Sequence, residues 1–303
     1  MIEKINKEIS KIIVGQKELT EELLTALLGG GHIILEGVPG LAKTTMINTL
    51  AKALGVEFKR IQFTPDLLPS DITGSEIYDP KKSEFRIKKG PVFTNLLLAD
   101  EINRASAKVQ SALLEVMQEK QVTLSDKTYK LQEPFLVMAT QNPIEQEGTY
   151  NLPEAQLDRF MLKSIIKYPL FEEELMIIDR ILEEKKEQIQ QIVTRDELLT
   201  AREEVKNVFM EHHLKEYILK IIFQTRKHPL LSLGASPRGT LDLVRASKTK
   251  AFINKKEFVT PTDILNMTKP VLRHRIVLNY EARAKEITAD NILDEIIEKI
   301  KIP

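Results

Sequence analysis

The sequence predicts an α/β protein, in which a mostly parallel, doubly wound sheet is followed by an all-helical region. Three observations carry that expectation. His32-Ile33-Ile34-Leu35-Glu36 reads as a buried strand that runs into a glycine-containing loop and then a helical stretch, Thr44 to Leu54. Two further continuous apolar runs, Asn95 to Ala99 and Phe135 to Ala139, alternate with segments of helical period, as parallel strands covered on both faces do. Beyond Tyr168-Pro169-Leu170 the chain is charge-rich and helical, with no convincing strand. The expected boundary therefore lies near residue 170, giving a core of 1–170 and a helical domain of 171–303.

The elements follow in order. Ile2, Ile5, Ile9 and Ile12-Ile13 recur at helical spacing, so the chain opens with an amphipathic helix. Val14-Gly15-Gln16 breaks it, and a second helix runs from about Glu18 to Leu28. After the first strand, loop and helix comes a short apolar segment, Phe58 to Phe63. Glu84-Phe85-Arg86-Ile87-Lys88 alternates behind the turn signal Asp79-Pro80-Lys81-Lys82, which predicts a hairpin insert near 76–90 with a basic tip. Ser106 to Glu119 carries Val109, Leu113, Val116 and Met117 on one helical side. A second hairpin, near 121–132, turns at Ser125-Asp126-Lys127, and Ile165-Ile166 supplies one more short strand. Thr260-Pro261-Thr262-Asp263 has the form of a helix N-cap followed by proline at the first helical position.

Composition bounds the function classes. The 303 residues contain 44 Lys plus Arg and 44 Asp plus Glu, so no global field recruits nucleic acid or an acidic membrane. There is no cysteine, which excludes disulfides, thiolate metal sites and a cysteine nucleophile. The N-terminus is charged throughout, without the apolar core of a signal peptide. No stretch reaches the ~18 apolar residues needed to cross a bilayer. A soluble, cytoplasmic protein without membrane insertion is expected.

The chemistry concentrates in five segments. Gly37-Val38-Pro39-Gly40-Leu41-Ala42-Lys43-Thr44, with Thr45 behind it, is a phosphate-binding loop between strand and helix. Its backbone N–H groups and the positive end of the helix face a polyphosphate, while Lys43 reaches the outer phosphates and the Thr44 hydroxyl ligates Mg²⁺. Ala42 stands where the usual pattern has glycine; it is small enough to let the backbone approach, at the loss of freedom at positive φ. Leu96 to Ala99 ends in Asp100-Glu101. Asp100 suits a Mg²⁺ ion that keeps most of its water, and Glu101 suits orienting and deprotonating an attacking water. Asn142, at the end of the next strand, reads either as a turn residue before Pro143 or as a group holding that water. Asp158-Arg159 reads either as a surface ion pair or as an arginine offered to the nucleotide of a neighbouring subunit. Arg238, in Ser236-Pro237-Arg238-Gly239, is either an exposed residue of a helix start or a cation for the γ-phosphate.

In this order the five segments resemble an AAA+ ATPase, and their finer text resembles the MoxR family. The matching text is Glu36 to Thr44, Ala99-Asp100-Glu101-Ile102-Asn103-Arg104-Ala105, Met138-Ala139-Thr140-Gln141-Asn142-Pro143 and, most diagnostic, Gly148 to Phe160. Ala42 fits this family. The resemblance covers nearly the whole chain and implies a P-loop NTPase core with a helical lid, binding ATP with Mg²⁺. It implies Walker A at Lys43 and Thr44, Walker B at Asp100 and Glu101, sensor 1 at Asn142, the arginine finger at Arg159 and sensor 2 at Arg238. It also implies that Val14-Gly15-Gln16 lies over the adenine, and that Gln62 is a candidate restraint on Glu101. A trans finger implies a homo-oligomer, usually a hexameric ring. The implied work is chaperone-like: remodelling or maturing a partner, often one with a von Willebrand factor A domain, with metal or cofactor insertion a recurring theme.

Rival readings are a nucleic-acid-directed motor, which the neutral charge disfavours, and a non-hydrolysing scaffold, which the filled hydrolytic positions disfavour. The lysines of the first hairpin, Lys81, Lys82, Lys88 and Lys89, read equally as a client-facing ring pore and as a solvated surface. Arg273-His274-Arg275 is a small basic cluster that reads either as a contact to phosphate or a neighbour or, in preference, as a solvated face.

Overall fold

The computed structural model describes residues 1–38, 43–142, 148–182 and 187–303. Contacts divide the chain into two compact units that interleave in sequence. The first comprises Met1–Glu21, Ile34–Leu152 and Ile165–Leu199, and the second Glu22–Ile33, Pro153–Ser164 and Thr200–Pro303. A single cut near residue 170 does not reproduce them, because the chain visits the second unit twice before its C-terminal stretch.

The chain opens with α1 (Ile2–Ile9), α2 (Lys17–Gly29), β1 (Ile33–Glu36), α3 (Lys43–Leu54) and β2 (Phe58–Gln62). There follow α4 (Pro69–Thr73), the hairpin β3 (Gly74–Asp79) and β4 (Glu84–Lys89), and β5 (Leu96–Asp100). Next come α5 (Ala107–Glu119), the hairpin β6 (Gln121–Leu124) and β7 (Lys127–Lys130), β8 (Leu136–Gln141), α6 (Glu154–Leu157) and β9 (Leu162–Ile165). The central sheet has the order β2-β5-β8-β1-β9, with β2, β5 and β8 parallel. In β5 and β8 the side chains of Leu96, Leu97, Leu98, Leu136, Val137 and Met138 are fully buried. That explains their unbroken apolar text, since both faces of these strands are covered and each such side chain contributes about 1.5–3 kcal/mol. Helix α3 buries Met46, Ile47, Leu50, Ala51 and Leu54 on one side, and Gly55 ends it in the left-handed conformation at φ 61°.

The strand starts are fixed by the buried Asn95. Its Oδ1 accepts from the Glu57 N–H (3.2 Å), and its Nδ2 donates to the carbonyls of Gln132 (3.3 Å) and Pro134 (3.0 Å). Register then decides where the strands end: Gln62 lies opposite Asp100, and Ala99 opposite Ala139.

The later elements are α7 (Phe171–Leu182), α8 (Arg195–Asn207), α9 (His212–Lys227), β10 (Leu231–Leu233), α10 (Pro237–Ile253), α11 (Pro261–Leu272), β11 (Val277–Leu278), α12 (Tyr280–Ala284) and α13 (Ala289–Lys299). Helices α9, α10, α11 and α13 bury Tyr217, Ile218, Ile221, Leu243, Ile264, Val271, Leu272 and Leu293 between them. Thr260 does cap α11, in a capping box with Asp263 that Lys256 joins at 3.0 Å. The sequence showed no strand beyond residue 170, yet β10 and β11 pair antiparallel. Three- and two-residue strands are too short to display a period. No helix among the described residues is long and apolar enough to cross a membrane.

Candidate active site

The first unit brings the phosphate-loop and carboxylate motifs to one edge of the sheet. The Gly37 N–H, just after β1, donates to the Gln141 carbonyl at the end of β8 (3.4 Å), so the loop starts beside the strand that precedes Asn142. Gly37 and Val38 at the start of the loop, Lys43 and Thr44 at its end and Thr45 behind it are placed; Pro39, Gly40, Leu41 and Ala42 lie outside the described residues, as does Pro143. Lys43 Nζ donates back to the Gly37 carbonyl at 2.7 Å. Burial lowers the Lys43 pKa, and the charges of Asp100 and Glu101 pull against it, so the lysine and both carboxylates share one field.

Asp100 is the last residue of β5, and Glu101 follows in the left-handed region at φ 55°, ψ 50°. That conformation is uncommon for a residue with a side chain, and it re-aims the second carboxylate away from the strand direction. Thr140 supports it. Its buried hydroxyl accepts from the Glu101 N–H (2.8 Å) and donates to Asp100 Oδ1 (2.6 Å), joining both acids to β8. Asp100 Oδ2 accepts from Arg60 Nη2 at 2.6 Å, and the same nitrogen donates to Gln62 Oε1 at 2.8 Å. Glu101 pairs with Arg104 Nη1 at 3.1 Å.

These contacts revise one expectation. Gln62 reaches Arg60, and the side chain that holds Glu101 is Arg104. Sequence reading missed Thr140, Arg60 and Arg104 as members of the site, although Thr140 and Arg104 stand inside the motif text. The signal for Arg60 was its period-2 relation to Gln62 on β2, which puts both on one face.

Thr44 and Asp100 offer a hydroxyl and a carboxylate, hard oxygen donors few enough to leave a Mg²⁺ ion most of its water, so the donor chemistry fits that ion. Asn142 follows β8 directly. In the Val14-Gly15-Gln16 segment, Gly15 has φ 67°, a left-handed conformation that glycine adopts without strain, and a Cβ there would meet the movable carboxylate of Glu173 at 2.4 Å. Gln16 is also left-handed, at φ 56°, and its Nε2 donates to the Lys167 carbonyl at 3.3 Å.

Arg159 and Arg238 belong to the second unit. Asp158 does not pair with Arg159. Its carboxylate accepts from Arg275 Nε (2.8 Å) and from the Ser236 hydroxyl (2.9 Å), and Arg238 stands 3.8 Å away. The Arg159 guanidinium, half-buried, has no hydrogen-bond or ion-pair partner among the described residues. The expected solvated face at Arg273-His274-Arg275 is also corrected. His274 and Arg275 are buried, and Arg273 pairs with Asp290 at 3.0 Å. Buried carbonyls and carboxylates around these residues turn a basic run inward, which charge pattern alone cannot show.

A parallel sheet of this order, with the phosphate-loop motif after β1 and two acids at the end of β5, defines a P-loop ATPase of the AAA class. Residues 32–162 match the profile of the ATPase family associated with various cellular activities (AAA), and residues 223–296 match the AAA lid domain. Chaperone MoxR1 of Mycobacterium tuberculosis is 47% identical, covering 98% of this chain and 81% of its own. The uncharacterised protein YeaC of Bacillus subtilis is 46% identical, covering 100% and 95%. A crystal structure of a candidate ATPase from Cytophaga hutchinsonii is 49% identical, with a TM-score of 0.94, covering 100% of this chain and 94% of that one. The chain belongs to the MoxR family of AAA+ ATPases.

Proposed function

We propose that this protein hydrolyses ATP in an oligomeric ring and uses the cycle to remodel or mature a partner protein. The observation that carries the reading is the cluster at the sheet edge, where Lys43, Asp100 and Glu101 share one field and Thr140 fixes both acids. In this reading the loop from Gly37 to Thr45 and the Val14 to Gln16 segment bind the nucleotide, and Lys43 holds the outer phosphates. Glu101 takes the proton of the attacking water, and Asn142 orients that water. When bound through Thr44 and Asp100, Mg²⁺ offsets the charge that develops on the phosphates. Arg238 adds cationic charge to the γ-phosphate, and Arg159 serves the nucleotide of the neighbouring subunit; trans arginines of this kind are worth about 10³–10⁵ in rate in GTPases. The half-buried guanidinium of Arg159, unpaired among the described residues, supports that role.

The Mycobacterium tuberculosis relative is named a chaperone, which supports a protein client here. The family resemblance points first to a von Willebrand factor A domain protein, or to an enzyme that needs a metal or cofactor inserted. Steady-state ATPase of wild type and Arg159→Ala, measured across protein concentration with oligomer mass in parallel, tests the ring mechanism. Wild-type specific activity should rise with assembly, whereas Arg159→Ala should assemble and turn over poorly. Subunits carrying Lys43→Ala should partly restore it, because a mixed interface can hold one intact site. Equal rates for monomers with and without Arg159 would overturn the mechanism.

A further inference from the structure

We propose that Arg275 is the residue that positions Arg159. The inference rests on the trans role just given to Arg159. Arg275 follows α11, and its side chain is 0% exposed. Four of its contacts surround Arg159 in sequence: Nε to Asp158 Oδ1 (2.8 Å), Nη2 to the Asp158 carbonyl (3.1 Å), Nη2 to the Phe160 carbonyl (2.7 Å) and Nη1 to the Met161 carbonyl (3.1 Å). The remaining two anchor the guanidinium itself, to the Val271 carbonyl (2.7 Å) and to Asp242 Oδ2 (2.6 Å). His274 Nε2 adds a contact to the Phe160 carbonyl at 2.9 Å, and Ser236 holds the Asp158 carboxylate.

One planar group therefore fixes the backbone on both sides of Arg159 without engaging the Arg159 side chain, which is unpaired among the described residues. Burying a guanidinium costs far more than burying an apolar side chain of the same volume, so packing alone does not account for it. The five-donor fork is what reaches several carbonyls at once, and a lysine ammonium cannot reproduce that geometry. Fixed backbone matters for a trans arginine, since a displacement of about 1 Å can cost about 100-fold in rate.

The test uses full-length Arg275→Lys and Asp158→Asn beside Arg159→Ala, reading kcat, KM for ATP, oligomer mass and restoration by Lys43→Ala subunits. Arg275→Lys should assemble and lose about 10-fold or more in kcat, with KM within about 2-fold of wild type. Lys43→Ala subunits, whose fingers are intact, should restore turnover as they do for Arg159→Ala. Wild-type kcat in Arg275→Lys, or a loss that Lys43→Ala subunits do not restore, overturns the proposal. If Arg275→Lys fails to assemble, Asp158→Asn decides by the same two criteria. Wild-type turnover in Arg159→Ala would instead remove the trans reading, and this inference with it.

Discussion

The sheet edge and the Asp158–Arg275 hub both arrange charged side chains, yet they are built on opposite principles. At the sheet edge, Asp100, Glu101 and Lys43 sit at the ends of secondary elements, partly open to solvent, and each charge is held by a few contacts. In the hub, Arg275 is enclosed and its guanidinium is held by six hydrogen bonds. The difference separates reactivity from placement. On the function proposed above, groups that accept phosphate, water and a metal ion keep free valences, whereas groups that only aim a neighbour can be held by many contacts.

The largest effect that sharpens this comparison is Glu101→Gln. It should lower turnover by roughly 10²–10⁴ while ATP binding persists. Its thermal unfolding should stay close to wild type, because the Glu101–Arg104 pair is partly exposed and such pairs contribute about 0–1 kcal/mol. A large loss of stability would mean that the edge, too, is structural.

Asp242→Ala should show the reverse balance. Asp242, on α10, is 8% exposed, and its pairing partner Arg275 is completely enclosed. Burial raises the Asp242 pKa, and the charges of Arg275 and Arg245 pull against it. Truncation leaves the enclosed guanidinium with Asp158 as its remaining counter-charge and one of its hydrogen bonds lost, so denaturant unfolding should report a loss of roughly 1–3 kcal/mol. A loss below about 1 kcal/mol would show that the hub relaxes freely.

The smallest effect concerns His274. Burial, then the neighbouring Arg275, holds its pKa well below the ordinary value, and its Nδ1 is buried without a partner. Between that lowered value and about 6.5 the unfolded chain binds the extra proton, so stability is complete above about pH 6.5 and is lost as pH falls towards the folded pKa. The slope from this residue is at most about 1.4 kcal/mol per pH unit. In melting curves from pH 7.5 to 5.5, His274→Gln should flatten that decline; an unchanged slope would place the titration elsewhere.

The two regions were unequally legible in the sequence. Strands β1, β5 and β8 could be read because burial on both faces leaves an unbroken apolar signature, and the residues that end them carry recognisable motif text. Thr140 lay inside such a motif, but its bridge between Asp100 and the Glu101 amide depends on strand register, which only pairing reveals. Asp158 and Arg275 are far apart in the chain, and each looked like a surface charge. Their meeting is a tertiary event without local pattern, so the basic run around His274 was assigned to solvent. The pair β10 and β11 escaped for a related reason, being too short for alternation to repeat.

The interleaving of the two units also constrains how this chain can be recombined. A crossover with a relative at residue 170 would take Asp158 from one parent and Arg275 from the other, breaking a contact set that spans the junction. The second unit is transmitted as three separate segments, and a hybrid that conserves it must exchange 22–33, 153–164 and the C-terminal stretch together.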